Sequence, residues 1–316
     1  MFEDDSRVTV SVVIPAYNVA AFIGRTLDTV RAQTLADHET IVVDDGSTDE
    51  TANVVRAYFT QHGVSGRVIC QENRGMAAAR NTGMRAAGGS YIALLDADDL
   101  WYPEKLATVM AEFTRHPDVD LICHDENITR DSRVVRVTRR KMPRGDLYES
   151  LLFDGNILSP SAATFRRDAA LALGGFDERA EYLTVEDYDF WMRFSRERRI
   201  RFLDRVLGEY VLLEGSASRR IVFHHAALEL MLRSHLDDYL RVHPGAFMRV
   251  RARRRMAMVY RSAARQLMLY GGRAEDQRAF VGRMLRAYPL AIRNIAVALM
   301  WSAGAVRRLP RDPAAA

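Results

Sequence analysis

Lysine is nearly missing from this chain: Lys105 and Lys141 are the only two in 316 residues, so arginine is its default surface cation. Cysteine is equally scarce. Cys70 and Cys123 cannot build a disulfide framework, suit a reducing compartment, and read as buried small residues. The start, MFEDDSRVTV, has no basic stretch followed by an apolar one. No secretory signal peptide is expected, and the cytoplasm is the expected compartment. Long apolar runs are missing too. The run from Ile295 to Val306 is 12 residues, short of the ~18–20 that cross a bilayer, so an interfacial or docked helix is expected there. Where a dinucleotide fold would carry G-x-G-x-x-G the chain reads IPAYNVAAFIG, and no G-x-x-x-x-G-K-[ST] occurs anywhere. Any nucleotide must be held by side chains and a cation rather than by a glycine cradle.

What is present is an ordinary soluble composition, 48% hydrophobic and 27% charged, in a length that suits one large domain or two smaller ones. The net charge of +4 hides an asymmetry. Residues 1–240 hold 29 Lys/Arg against 38 Asp/Glu, whereas residues 241–316 hold 16 arginines against Glu275, Asp276 and Asp312. A basic end of this kind faces either solvent or an anionic partner, with membrane lipid or an acidic acceptor ahead of nucleic acid.

Along the first 125 residues short apolar runs alternate with helical patterns. VTVSVVIPAYN, HETIVVDDGS, GRVICQE and SYIALLDADD read as strands. Between them lie AAFIGRTLDTVRAQT, TDETANVVRAYFTQHG and GMAAARNTGMRAAGG, the second with Ser47 and Glu50 spaced as a capping box and Gly63 at its end. Pro103 then opens a fourth helix. Repeated β-α-β units with nearly continuous apolar strands imply a parallel sheet covered on both faces. TVEDYDFWMRFSRERR is a later helix with Asp187, Phe190, Trp191 and Phe194 near one face, and from about His225 the pattern is helical almost to the end.

Ligands of an open parallel sheet gather beyond the carboxyl ends of its strands. That rule brings PAYN, DDGS, ENRG and DADD to one edge. Either acidic cluster alone is compatible with a turn or a helix cap. Two at the same edge would sum their repulsion, which a divalent metal with hard oxygen ligands relieves. The expectation is a metal-bound diphosphate.

The order VSVVIPAYN, IVVDDGSTDET, NRGMAAARNTG, YIALLDADDLWYPEKL, GGFDE and EDYDFWMRFS resembles the family 2 glycosyltransferases of the GT-A fold, over about residues 8 to 218. The resemblance implies an α/β, Rossmann-like, mostly parallel sheet flanked by helices, here followed by a C-terminal α-helical region. Domains are expected at 8–222, catalytic, and 223–316, basic and helical. The resemblance puts Pro15 and Tyr17 against the nucleotide base, with Asp45 accepting a hydrogen bond from it, which favours uracil. It makes Asp96 and Asp98 the two acids of a D-x-D motif, Asp98 coordinating Mn²⁺ or Mg²⁺ on the diphosphate and Asp96 near the ribose or metal. Asp99 is left as a loop or cap residue. Arg80 would steady the nucleotide or else lie on the helix surface. Asp187 matches the general base of an inverting transfer, with Glu186 and Trp191 as its neighbours on the acceptor side.

One stretch departs from the pattern. Many relatives carry Tyr-Arg-x-His before small residues and serine, but here EYVLLEGSAS keeps Tyr210 and Ser216 and has Val211 and Leu213 instead of the arginine and histidine. His224 and His225 are read as structural. The expected function is transfer from a nucleoside-diphosphate sugar to a glycan or lipid-linked acceptor, peripheral to the inner membrane face through the basic helices. The alternatives are a sugar nucleotidyltransferase, against which IPAYN speaks, and a nucleotide-sugar-binding module without catalysis.

Overall fold

The structure is a computed structural model that describes residues 9–212 and 221–302. Leu213, Ser216 and the final LPRDPAAA lie outside the described residues. In chain order the elements are β1 (Val10–Ala16), α1 (Ile23–Arg31), β2 (His38–Asp44), α2 (Thr51–His62), β3 (Gly66–Cys70), α3 (Met76–Ala86), β4 (Tyr91–Leu94), β5 (Leu100–Trp101), α4 (Lys105–Arg115), β6 (Leu121–Arg130), β7 (Arg133–Val137), α5 (Leu147–Asp154), β8 (Ala163–Arg166), α6 (Arg167–Ala172), α7 (Glu186–Glu197), β9 (Ile200–Val211), α8 (Ile221–Val242), α9 (Ala246–Leu269), α10 (Ala274–Ala287) and α11 (Ile292–Ser302). They fall into two compact units. One lies within Met1–Tyr148, Ile157–Ala180 and Glu186–Glu214, the other within Glu149–Asn156, Glu181–Val185 and Gly215–Ala316.

The first unit is built on one sheet ordered β3-β2-β1-β4-β8-β6-β9-β5, with β7 paired to β6. β3, β2, β1 and β4 run parallel, as the repeated β-α-β pattern predicts. β8 then enters antiparallel to both β4 and β6, and β9 runs parallel to β6. The nearly continuous apolar reading of β1 has its physical counterpart in burial along its whole length. Val10, Val12 and Ile14 pack with Ile23 and Leu27 of α1, Val55 of α2, and Leu106 of α4. Burying each such side chain contributes about 1.5–3 kcal/mol. On the other face α3 comes so close that a Cβ on Gly83 would stand 2.3 Å from Val13 Cγ1. A second cluster, Val109, Phe113, Ile122 and Leu207, packs α4 on β6 and β9.

Three local expectations are corrected. Ser47 and Glu50 form no capping box; α2 starts at Thr51, whose N–H bonds Asp49 Oδ1 at 3.0 Å, while Ser47 Oγ accepts the Asn18 N–H at 2.9 Å. A long-range bond to the neighbouring loop has outcompeted the local cap. Pro103 lies outside the helix that it was expected to open, because α4 begins at Lys105 with Glu104 as its cap. Cys70 is exposed rather than buried, because β3 is an edge strand; Cys123, on interior β6, is buried as expected.

The second unit is helical. Glu229 of α8 accepts from Tyr260 of α9 at 2.7 Å and pairs with Arg283 of α10 at 3.1 Å. Arg255 of α9 donates to the Leu152 carbonyl at 3.0 Å and Arg251 pairs with Glu149 at 3.0 Å, which ties both residues of α5 to α9. Among the described residues no helix is long and apolar enough to cross a membrane.

Candidate active site

β1 lies between β2 and β4, so the acidic stretches after β2 and β4 emerge on either side of the end of β1. On the β2 side the Asp45 N–H bonds the Ala16 carbonyl at 2.8 Å. The Asp45 carboxylate is buried and accepts from Gln71 Nε2 at 2.7 Å, the Arg74 N–H at 3.0 Å and the Gly75 N–H at 2.7 Å. Gly75, at φ +88, is the turn into α3, a conformation that favours glycine. Asp45 thus anchors the start of α3, and its four acceptor positions still leave room for one further donor. Pro15 is buried in β1 beside Val43, whereas Tyr17 just beyond it is 43% exposed, its ring free for stacking.

Arg80 organises the other side. It sits on the buried face of α3, where Nη2 donates to Asp96 Oδ1 at 2.9 Å and Nη1 to Glu186 Oε1 at 2.8 Å. The surface alternative for Arg80 is thereby overturned: the residue is 3% exposed, with the Phe176 ring 5.5 Å away. Burial works against its charge, but Asp96, Glu186 and Asp187 outweigh it and hold the guanidinium above its ordinary value. One cation therefore joins Asp96 to the acidic start of α7.

The carboxyls around it are raised. Asp98 is pushed up to about 6, first by burial and then by the charge of Asp96. Asp187 is pushed up to about 7 by burial and by Glu186, with Arg80 pulling the other way, and its Oδ1 accepts the Tyr188 N–H at 2.7 Å. Glu186 keeps Oε2 buried and without a partner among the described residues. Among those residues no three His, Cys, Asp or Glu side chains converge as a metal cage. A small hard cation held by one or two carboxylates and substrate phosphates requires none. A partly desolvated carboxylate driven toward its neutral form by its neighbour, as Asp98 is, fits such a cation.

One expectation holds only in part and another fails. Asp99 does lie in the loop between β4 and β5, but it caps no helix and is 1% exposed, and its oxygens accept the Val211 N–H at 2.9 Å and the Ser161 hydroxyl at 2.6 Å. Burial and the charges of Asp96 and Asp98 push its carboxyl well up. Trp191 cannot face an acceptor, because it is fully buried and packs edge-on against Phe165, Phe176 and Phe190. The four-residue spacing from Asp187 that suggested a shared face places it in the core instead.

The sequence reading also missed Ser161 and Tyr210 as parts of this cluster. Ser161 Oγ accepts the Asp96 N–H at 3.0 Å while donating to Asp99, so it sets the backbone of the D-x-D turn. Burial and then Asp99, Asp96, Asp98 and Asp187 raise the Tyr210 hydroxyl, which locates it beside the acids. Tyr210 was visible as the surviving member of the altered Tyr-Arg-x-His motif; nothing local marks Ser161. Replacing Asp99 with Ala leaves the Ser161 O–H and the Val211 N–H without their acceptor, at about 1–3 kcal/mol. A urea unfolding midpoint should fall accordingly, and an unchanged midpoint would refute the anchoring role.

A model of glycosyl transferase family 2 matches residues 11–174. The chain is 35% identical over 149 residues to an uncharacterised glycosyltransferase of Nostoc, covering 46% of each chain. It is 29% identical to chondroitin synthase of Escherichia coli, over 64% of this chain and 29% of that protein. To hyaluronan synthase of Pasteurella multocida it is 31% identical, over 66% of this chain and 21% of the other. The chain thus spans less than half the length of each of these relatives. Among solved structures it resembles Staphylococcus aureus TarS 1–349 in complex with UDP-GlcNAc, with a TM-score of 0.62, 18% identity, and 96% and 94% of the two chains covered. A mannosyltransferase of Pyrobaculum calidifontis in complex with GDP-Man and Mn²⁺ gives 0.58 and 22%, over 93% and 86%. These likenesses establish the GT-A fold.

Proposed function

The chain belongs to glycosyltransferase family 2, and from that premise we propose that it transfers a sugar from a nucleoside diphosphate, most simply UDP, to a hydroxyl of a glycan or lipid-linked acceptor, with inversion. The observation that carries the proposal is the Arg80 bridge, which unites Asp96 with Glu186 and so brings Asp187 to the D-x-D acids. Tyr17 would stack on the base and Asp45 would accept from it, with Pro15 behind. Asp98 would hold Mn²⁺ or Mg²⁺, which, when bound, neutralises charge building on the departing diphosphate. Arg80 fixes Asp96 beside that charge.

In the transfer itself, the acceptor oxygen bonds to the sugar C1 as the bond from C1 to the diphosphate oxygen breaks. The acceptor proton passes to Asp187, whose raised carboxyl suits a base working near neutrality. The nucleoside diphosphate leaves with the bonding pair. In this reading residues 8–222 carry donor binding and chemistry. Residues 223–316 carry contact with the inner membrane face, where a lipid-linked acceptor would be presented, and the enzyme works in the cytoplasm or at its membrane boundary. Sugar nucleotidyltransfer falls outside the family.

The test is thermal shift with a panel of nucleotide sugars and Mn²⁺. UDP-sugars should raise the midpoint, and adding a chelator should remove both most of that shift and the transfer activity. No stabilisation by any nucleotide sugar would reject the reading; stabilisation by GDP-sugars alone would reject the uracil assignment.

A further inference from the structure

Most described arginines of the second unit that touch a carboxylate do so within the helical scaffold, as Arg251 does with Glu149 and Arg283 with Glu229. Another group does not. Arg254, Arg261, Arg265 and Arg293 crowd together on α9 and α11, and the Arg261 guanidinium is pushed down by burial and then by the charges of Arg293, Arg265 and Arg254. Arg261 is held in place all the same, donating to Asn294 Oδ1 at 3.0 Å, while the Asn294 amide donates to the Tyr288 carbonyl at 2.8 Å. Among the described residues no carboxylate pairs with these four arginines, and cations gathered in this way cost free energy that an anion would return.

Beside them lies a groove of about 510 Å³ between α8 and α9. Leu228, Met258 and Leu269 supply apolar lining, and Arg261, Ser262 and Arg265 supply donors. On α11, which is tied to the groove lining by the Arg261–Asn294 bond, Ile292, Ile295 and Leu299 are exposed at 84%, 43% and 63%. Their spacing of three and then four residues puts them on one helical face. Scattered exposed apolar residues are normal, but an aligned row next to a cation cluster marks a contact surface.

We infer that the groove takes the phosphate of an anionic phospholipid, with the α11 row entering the membrane interface. A free phosphate would have no use for the apolar row, and a nucleic acid none for the apolar lining. A bilayer offers both chemistries at the right depth: phosphates at the surface and an apolar layer roughly 5–10 Å beneath. Over the described residues α11 is 11 residues long and is not long and apolar enough to span, so it would lie in the interface. This deepens the membrane contact proposed above by naming the site and its ligand, and it does not depend on the transfer chemistry.

The experiment is vesicle co-sedimentation of the full chain, with UDP binding measured in parallel on every variant. The protein should partition onto phosphatidylcholine vesicles containing phosphatidylglycerol and not onto phosphatidylcholine alone. R261Q/R265Q and, separately, I295S/L299S should each lower partitioning roughly tenfold or more, while R278Q/R286Q on α10 should leave it unchanged. Native circular dichroism and retained UDP binding in the variants exclude misfolding as the cause. Equal partitioning onto phosphatidylcholine, no loss in I295S/L299S, or an equal loss in R278Q/R286Q would each overturn the inference. So would displacement from vesicles by millimolar inorganic phosphate, which would assign the groove to a soluble anion. Failure of the wild type to bind UDP would count against the glycosyltransferase reading and leave this one standing.

Discussion

Asp187→Asn should lower transfer by about 10²–10⁴-fold and leave UDP-sugar binding unchanged. The amide keeps the shape of the carboxylate but cannot take the acceptor proton. The wild-type rate should carry the signature of the same group. The Asp187 carboxyl stands at about 7, against an ordinary 3.8, because burial and Glu186 oppose its ionisation. Only the ionised form is a base, so the rate should fall about tenfold per unit as pH drops below 7 and level off above it. The stability contribution has the opposite sense: a raised carboxyl favours the folded state while protonated, and that contribution is lost as pH rises through 7. Wild-type transfer by Asp187→Asn would end the general-base assignment. Loss of transfer together with loss of UDP binding would indicate structural damage instead.

Arg80→Met should be the most destabilising single change in the site. It leaves Asp96 and Glu186 without their shared cation, and breaking a buried ion pair costs about 3–5 kcal/mol. The effect is readable in a urea unfolding midpoint. Removing a charge that favours ionised Asp187 should also move the rising limb of the pH–rate profile to higher pH. Arg80→Lys should recover only part of the stability, because an ammonium is a single point charge and cannot reproduce a planar fork between two acids. If Arg80→Met unfolds at the wild-type midpoint, the bridge holds nothing.

Much of the fold was legible because its determinants are local. β1, β4 and the Ile41–Val43 part of β2 are buried and therefore read as nearly continuous apolar runs. α1 buries Ile23, Leu27 and Val30 and so shows the helical period. A parallel sheet delivers strand ends to one edge, so DDGS and DADD could be brought together before any coordinates were known. The altered Tyr-Arg-x-His motif was likewise plain in EYVLLEGSAS.

The failures share another cause. Arg80 and Glu186 are 106 positions apart, and Asp99 and Val211 are 112 apart. No local period reports such pairs; they depend on β8 entering antiparallel beside β4 and on β9 returning beside β6. That strand order places Ser161 under Asp96, buries Asp99, and drives Trp191 into the aromatic core. By itself, then, the sequence determined which segments become strands and helices, and which acids stand at the sheet's ligand edge. Only the tertiary structure decided which of those acids are coupled, because burial and the sharing of one guanidinium are properties of residues distant in the chain and adjacent in space.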